Sequence, residues 1–147
     1  MKIIIQRVRE AKVSVDGRVI GEIGKGMVVF LGIGKNDTTE DAQYLAEKIL
    51  NLRIFDDENQ KMNLSLSGIK GEIMIISEFT LYGDCLKGRR PDFVEAAPPD
   101  YAQELYGSFI ELMKKSNLKI ITGEFRAYMI VEIHNDGPAT FILESKK

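Results

Sequence analysis

The apolar positions of this chain change their rhythm several times, and each change marks an element. Ile3 to Val8 is a nearly continuous apolar run and reads as a buried strand. Ala11 to Val15, then Asp16-Gly17, then Arg18 to Ile23 read as a hairpin, because Asp-Gly suits a two-residue turn with positive backbone angles. Met27 to Ile33 is short, continuous and rich in β-branched residues, which predicts a strand covered on both faces. The period then lengthens. Thr38-Thr39-Glu40-Asp41 has the form of a capping box, and Ala42, Leu45, Ala46, Ile49 and Leu50 follow at three- and four-residue spacing, so an amphipathic helix is expected from about Thr39 to Asn51. Leu52 to Phe55 is expected as a strand and Asp56 to Gln60 as a polar loop. Glu72 to Ser77 and Phe79 to Tyr82 read as strand with an irregularity at Ser77-Glu78. Pro98-Pro99-Asp100 opens a second helix, whose stripe is Tyr101, Leu105, Phe109, Ile110 and Met113. Lys119 to Thr122, Tyr128 to Ile133 and Thr140 to Leu143 return to strand.

Two main helices among roughly eight to ten strands, without regular strand-helix alternation, point to an α+β fold: an antiparallel or mixed curled sheet, or a barrel-like sandwich. A doubly wound sheet is disfavoured. At 147 residues and 44% hydrophobic, the chain is long enough for one cored domain over 1–147 and too short for two.

Charge and cysteine usage narrow the chemistry. The net charge of −2 gives no global basic field, so DNA is not an expected partner and any RNA contact must rest on a local patch such as Lys87-Gly88-Arg89-Arg90. One cysteine, Cys85, excludes an internal disulfide and fits a reducing compartment. One histidine, His134, without a Cys/His cluster, argues against zinc. The acids of Asp56 to Gln60 lack the glycine and closing glutamate of a calcium loop, and the glycines at 21, 24, 26, 32 and 34 form no phosphate-binding pattern. Neither a metal nor another cofactor is expected. Gln6 and Arg7 interrupt the first apolar run, so it lacks a signal-peptide core, and Met27 to Ile33 is far short of the ~20 residues of a membrane helix. No membrane partner is expected, and the reading places the protein in the cytoplasm.

Two stretches carry the candidate chemistry. In Ser77-Glu78-Phe79-Thr80, hydroxyl residues flank a charge directly after the apolar run Ile73 to Ile76. Such a segment can aim consecutive N–H groups at one point and make an oxyanion site, or it can be an edge strand with Ser77 and Thr80 facing water. In Asn135-Asp136-Gly137-Pro138-Ala139-Thr140-Phe141, residues that tolerate unusual backbone angles meet a proline that fixes its own. This segment is either a plain turn or a bend whose freed carbonyls face a pocket.

Taken in order, these stretches and several others resemble the D-aminoacyl-tRNA deacylases along essentially the whole chain. The matching residues are Ile5-Gln6-Arg7-Val8, Arg53-Ile54-Phe55 with Lys61-Met62-Asn63, Ser77-x-Phe79-Thr80-Leu81, Gly88-x-Arg90-Pro91-x-Phe93, Gly123-x-Phe125 and Asn135 to Phe141. The resemblance implies that family's fold and a homodimer with active sites at the subunit interface. It implies hydrolysis of the ester joining a D-amino acid, or glycine on tRNA(Ala), to the 3'-terminal adenosine of the tRNA acceptor end. It assigns Gly137-Pro138 to a Gly-cisPro element whose carbonyls enter the partner's pocket and reject L-amino acids, with Ala139 beside it and Arg7 bracing it. Ser77, Glu78, Phe79 and Thr80 fall on the pocket wall and oxyanion side, and Phe125 and Met129 on the adenosine site. Thr80 is then a positioning residue, since no base adjoins it in sequence.

The chain departs from the family pattern at Glu78, where glutamine is typical, at Arg126, where a small residue is common, and at Asp92, where serine is common. An arginine partner for Glu78 is expected. The alternatives are a paralogous deacylase that edits L-alanyl-tRNA, which Ser77 and Arg7 disfavour, and a noncatalytic nucleic-acid-binding module.

Overall fold

The structure, a computed structural model, describes residues 1–145. Its first strand, β1 (Lys2–Val15), is one continuous ribbon where two strands were expected. β2 (Arg18–Ile23) returns beside it through the Asp16-Gly17 turn, both of whose residues have positive φ. β3 (Gly26–Gly32) then pairs antiparallel with the first half of β1, from Lys2 opposite Gly32 to Val8 opposite Gly26. Helix α1 (Thr39–Asn51) has the boundaries its period predicts, and the Asp41 carboxylate accepts from the Thr38 N–H at 2.8 Å.

Between the helices the short segments depart from the expectation. Leu52 to Ile54 is irregular, and β4 (Phe55–Asp56) pairs with β5 (Met62–Leu64) around the polar turn; a one-turn helix α2 (Leu66–Ile69) follows. β6 (Glu72–Ser77) lies parallel to β3, and β7 (Ile120–Thr122) lies parallel to β6. Phe79–Tyr82, expected as strand, is a 3-10 turn. Its β-like composition yields to position, because at Glu78 the chain runs off the end of β3 and the last ladder bond is Glu78 N–H to Leu31 C=O at 2.8 Å. Helix α3 (Pro99–Lys114) begins with proline in its first turn, as expected. Tyr128 and Met129, also expected as strand, precede β8 (Ile130–Glu144), which runs unbroken through the Asn135 to Phe141 segment that was expected to join two strands.

The six-stranded sheet runs β2-β1-β3-β6-β7, and β8 adds to β1. Alternation along its strands divides the core in two. Ile3, Ile5, Val29, Leu31, Ile73 and Ile75 pack with Leu45, Ile49, Phe109 and Met113 of the two helices, while Val8, Val13, Val28, Met74 and Ile76 point the other way. The second cluster is closed by the curl of the sheet, which brings β2 against β7 so tightly that a Cβ on Gly21 would lie 2.3 Å from a methyl of Ile121. The result is the mixed, barrel-like α+β architecture that the periodicities imply. Among the described residues no helix is long and apolar enough to cross a membrane.

Candidate functional site

Where β3 and β6 end side by side, the sheet stops and a cavity of about 810 Å³ begins. One wall is Ser77, Glu78, Phe79 and Thr80; the facing wall is Phe125 to Met129; Phe93, Ala96, Ala97 and the start of α3 complete it. The 3-10 turn is what makes the first wall useful. The opening N–H groups of any helical turn have no acceptor inside it, and those of Phe79 and Thr80 form no hydrogen bond among the described residues. The turn is held at its far end, where the Tyr82 hydroxyl donates to Asp37 Oδ2 at 3.2 Å. Burial, followed by the Asp37 charge, raises the pKa of that phenol, so it stays a donor.

Apolar area dominates the rest. The Phe79 ring is 58% exposed and meets Phe93 edge-on, with ring centroids 5.0 Å apart, while Phe125 leans on Tyr106 at 5.7 Å. Burial pushes the Tyr106 phenol up to about 12, and its hydroxyl donates to the Ile75 carbonyl at 3.0 Å, so this support too is fixed and neutral. No histidine or cysteine is among the residues lining the cavity.

Glu78 has a partner other than the one expected. Its Oε1 accepts from the Thr80 hydroxyl at 3.0 Å, and among the described residues no cation lies within ion-pair distance of its carboxylate. Spacing explains the first fact, since residues i and i+2 are brought together when the chain turns between them. It also gives Thr80 an acidic neighbour that the absence of an adjacent base did not anticipate. Arg126 lines the same cavity at φ +69° and likewise has no ion-pair partner among the described residues.

The other candidate residues form a second, separate structure. Across the β1/β8 ladder, Val8 faces Asn135 and Gln6 faces Thr140, so the four residues Asp136 to Ala139 stand opposite Arg7 alone and must arch away from the ladder. Asn135 clamps the arch from within, its side-chain amide donating to Arg7 C=O at 2.9 Å and to Ala139 C=O at 3.0 Å. Arg7, 6% exposed, lies beneath; its Nε donates to Asp136 C=O at 3.1 Å and its Nη1 to Ile54 C=O at 2.8 Å. Ala139 is buried. Gly137 and Pro138 are exposed, joined by a cis peptide bond, with Gly137 at φ +125°. Only glycine enters that conformation without strain, and a Cβ there would sit 2.8 Å from Arg7 Nη2.

The candidates therefore fall into two groups. Ser77, Glu78, Phe79, Thr80, Phe125 and Met129 share the cavity; Arg7, Gly137, Pro138 and Ala139 do not line it. The Gly137 arch is level with Met27 and the cavity with Leu31, four residues further along and three strands across, which is roughly 20 Å over the sheet at the usual rise and spacing. Sequence reasoning did not place Phe93, Ala96, Ala97 or Tyr128 in the site. Phe93 had a signal, since it closes the Gly88 to Phe93 motif; the alanines and Tyr128 had none. Lys87, Arg89 and Arg90 are exposed on a loop pinched by the Asp84/Asp92 bridge and do not line the cavity.

Residues 4–144 match the family described as D-Tyr-tRNA(Tyr) deacylase. The chain is 60% identical over 147 residues to a protein of Thermosipho africanus named D-aminoacyl-tRNA deacylase, covering 100% of this chain and 99% of that relative. A protein of the same name from Thermotoga petrophila is 53% identical with the same coverage. A solved structure titled c-Myc DNA Unwinding Element Binding Protein superposes with a TM-score of 0.94 at 44% identity, covering both chains in full. A probable eukaryotic D-amino acid tRNA deacylase superposes at 0.85 with 17% identity over 97% of this chain and 98% of its own, a likeness of fold.

Proposed function

Because the chain belongs to the D-Tyr-tRNA(Tyr) deacylase family, we propose that it hydrolyses the ester of D-aminoacyl-tRNA, releasing free D-amino acid and tRNA. The observation that carries this reading is the pair of unengaged N–H groups at Phe79 and Thr80 on the wall of an otherwise apolar cavity. Water adding to the ester carbonyl places negative charge on its oxygen, and fixed donors at that point lower the barrier by about 3 kcal/mol each. The bond from the carbonyl carbon to the ribose 3'-oxygen then breaks, and that oxygen leaves with a proton. Positioning of the ester, with help from the adjoining ribose hydroxyl, supplies the remainder. Phe125 and Met129 receive the terminal adenosine, and glycyl esters are accepted because they have no side chain to reject.

The chain acts as a homodimer in this reading. Its own Gly137-Pro138 arch is too far along the sheet to reach its own cavity, yet it is exposed and braced, which suits it to enter the cavity of a second copy. Main-chain oxygens placed where an L side chain would go exclude that isomer, each ~1.4 kcal/mol of penalty giving tenfold selectivity.

Incubation with D-Tyr-tRNA, L-Tyr-tRNA, Gly-tRNA(Ala) and L-Ala-tRNA tests this. Loss of the D-tyrosyl and glycyl esters alone is expected; selective loss of the L-alanyl ester would transfer the protein to the paralogous editing reaction. The likeness to a DNA unwinding element binding protein favours a second reading, a nucleic-acid-binding module without turnover. Many turnovers per protomer at low enzyme concentration would eliminate it.

A further inference from the structure

Resting on the deacylase reading, we propose that Glu78 is the counter-charge for the α-ammonium group of the aminoacyl ester, and so a specificity-determining residue for the acyl half of the substrate. The cavity has a carboxylate in its wall that no cation among the described residues pairs with. Glu78 is half-buried, immediately follows the strand end at Ser77, and is fixed at its backbone by the bond to Leu31 and at Oε1 by the Thr80 hydroxyl. Oε2 has no protein partner among the described residues, and the one guanidinium lining the cavity, that of Arg126, forms no ion pair with it.

A carboxylate in a cavity wall, held at one oxygen by a hydroxyl and without a cationic partner, can accept a charge-assisted hydrogen bond from a ligand cation at its other oxygen. The ligand of this cavity has one cation close to its reacting carbon, the ammonium on the carbon next to the ester carbonyl. If the carbonyl oxygen sits at the N–H groups of Phe79 and Thr80, the ammonium is two bonds from the carbonyl carbon and within reach of a side chain that begins one residue before Phe79. The Thr80 hydroxyl donates to Glu78, which both orients the carboxylate and occupies the hydroxyl's only proton. Thr80 therefore positions Glu78 and does not compete for the substrate carbonyl. A glutamine at this position could offer an amide oxygen to the ammonium but no charge.

The test compares D-Tyr-tRNA with the same ester after nitrous acid deamination, in which an α-hydroxyl replaces the ammonium, using the native protein and Glu78→Gln. The ratio of the two preferences cancels the intrinsic difference in reactivity between the esters. The native protein is expected to favour the aminoacyl ester, and Glu78→Gln to reduce that preference about tenfold, through KM with kcat within twofold, as expected for loss of a charge-assisted contact. An unchanged preference in Glu78→Gln would overturn the proposal. An equal fall in kcat for both esters would also overturn it, since Glu78 would then act on water or the ribose hydroxyl. If the native protein cleaved neither ester, the deacylase reading itself would fail and this proposal with it.

Discussion

The cavity and the Asn135 to Ala139 arch are both interruptions of the same curled sheet, and they are opposite in how their hydrogen-bonding capacity is used. At the base of the arch it is consumed: Asn135 and Arg7 together engage the carbonyls of Arg7, Asp136, Ala139 and Ile54. In the cavity it is left open, at the N–H groups of Phe79 and Thr80 and the charges of Glu78 and Arg126. In the proposed homodimer, the braced projection of one copy would meet the open donors and charges of the other. The difference teaches that changes at the arch should register first in stability, and changes in the cavity first in turnover.

Arg7→Ala is the strongest way to break that contrast. It removes a buried guanidinium and leaves the Asp136 and Ile54 carbonyls short of a donor, so unfolding in urea should show a loss of about 4 kcal/mol. A variant as stable as the native protein would mean the arch supports itself. Gly137→Ala follows at about 2 kcal/mol, because a side chain at φ +125° is strained and its Cβ would press on Arg7 Nη2. The same variant sharpens the comparison: displacing the arch should reduce the preference for D-Tyr-tRNA over L-Tyr-tRNA at least tenfold, a change of ~1.4 kcal/mol or more. Mixed with Thr80→Ala protein, it should recover part of its selectivity, since a native arch would then meet a native cavity in the mixed dimers.

Thr80→Ala tests the other side. The residue is exposed, so urea unfolding should move by no more than about 0.5 kcal/mol. Turnover at subsaturating D-Tyr-tRNA should fall by up to about tenfold through a raised KM, with kcat within about twofold, as the Glu78 carboxylate loosens. Loss of a covalent nucleophile would instead cost on the order of 10⁴-fold or more, and such a result would restore Thr80 to that role.

The parts legible in the sequence are those that a single element specifies. Helix α1 was readable to its ends because its period, its capping acid and its apolar stripe agree, and the two-faced burial of β3 follows from its unbroken apolar run. The 3-10 turn at Phe79–Tyr82 was not readable, since aromatic and threonine residues favour strand and what overrides them is the end of β3 beside them. The Thr80 to Glu78 bond depends on that turn and was hidden with it. The arch was half legible. Its residues announced an unusual backbone, but the four-against-one register with Arg7 arises from residues 128 positions away in the chain and has no local signature.

The smallest expected effect belongs to Arg126, and it separates the two charges of the cavity. The tRNA end carries a cation on its acyl group and an anion at the phosphate of its last nucleotide, while Glu78 and Arg126 offer the complementary signs from one cavity without pairing to each other. Arg126 adjoins Phe125, the residue assigned to the adenosine, so its partner should be the phosphate. Substitution by glutamine is the clean test, because any side chain at φ +69° bears a similar backbone cost and the fold should be unaffected. Binding should weaken a few-fold at low salt, equally for D-tyrosyl, glycyl and deacylated tRNA, and the slope of log affinity against log salt should shrink by about 0.7, the value for one single-strand phosphate contact. An effect confined to the aminoacylated forms would instead place Arg126 at the acyl end beside Glu78, and the charge polarity of the cavity would have to be reversed.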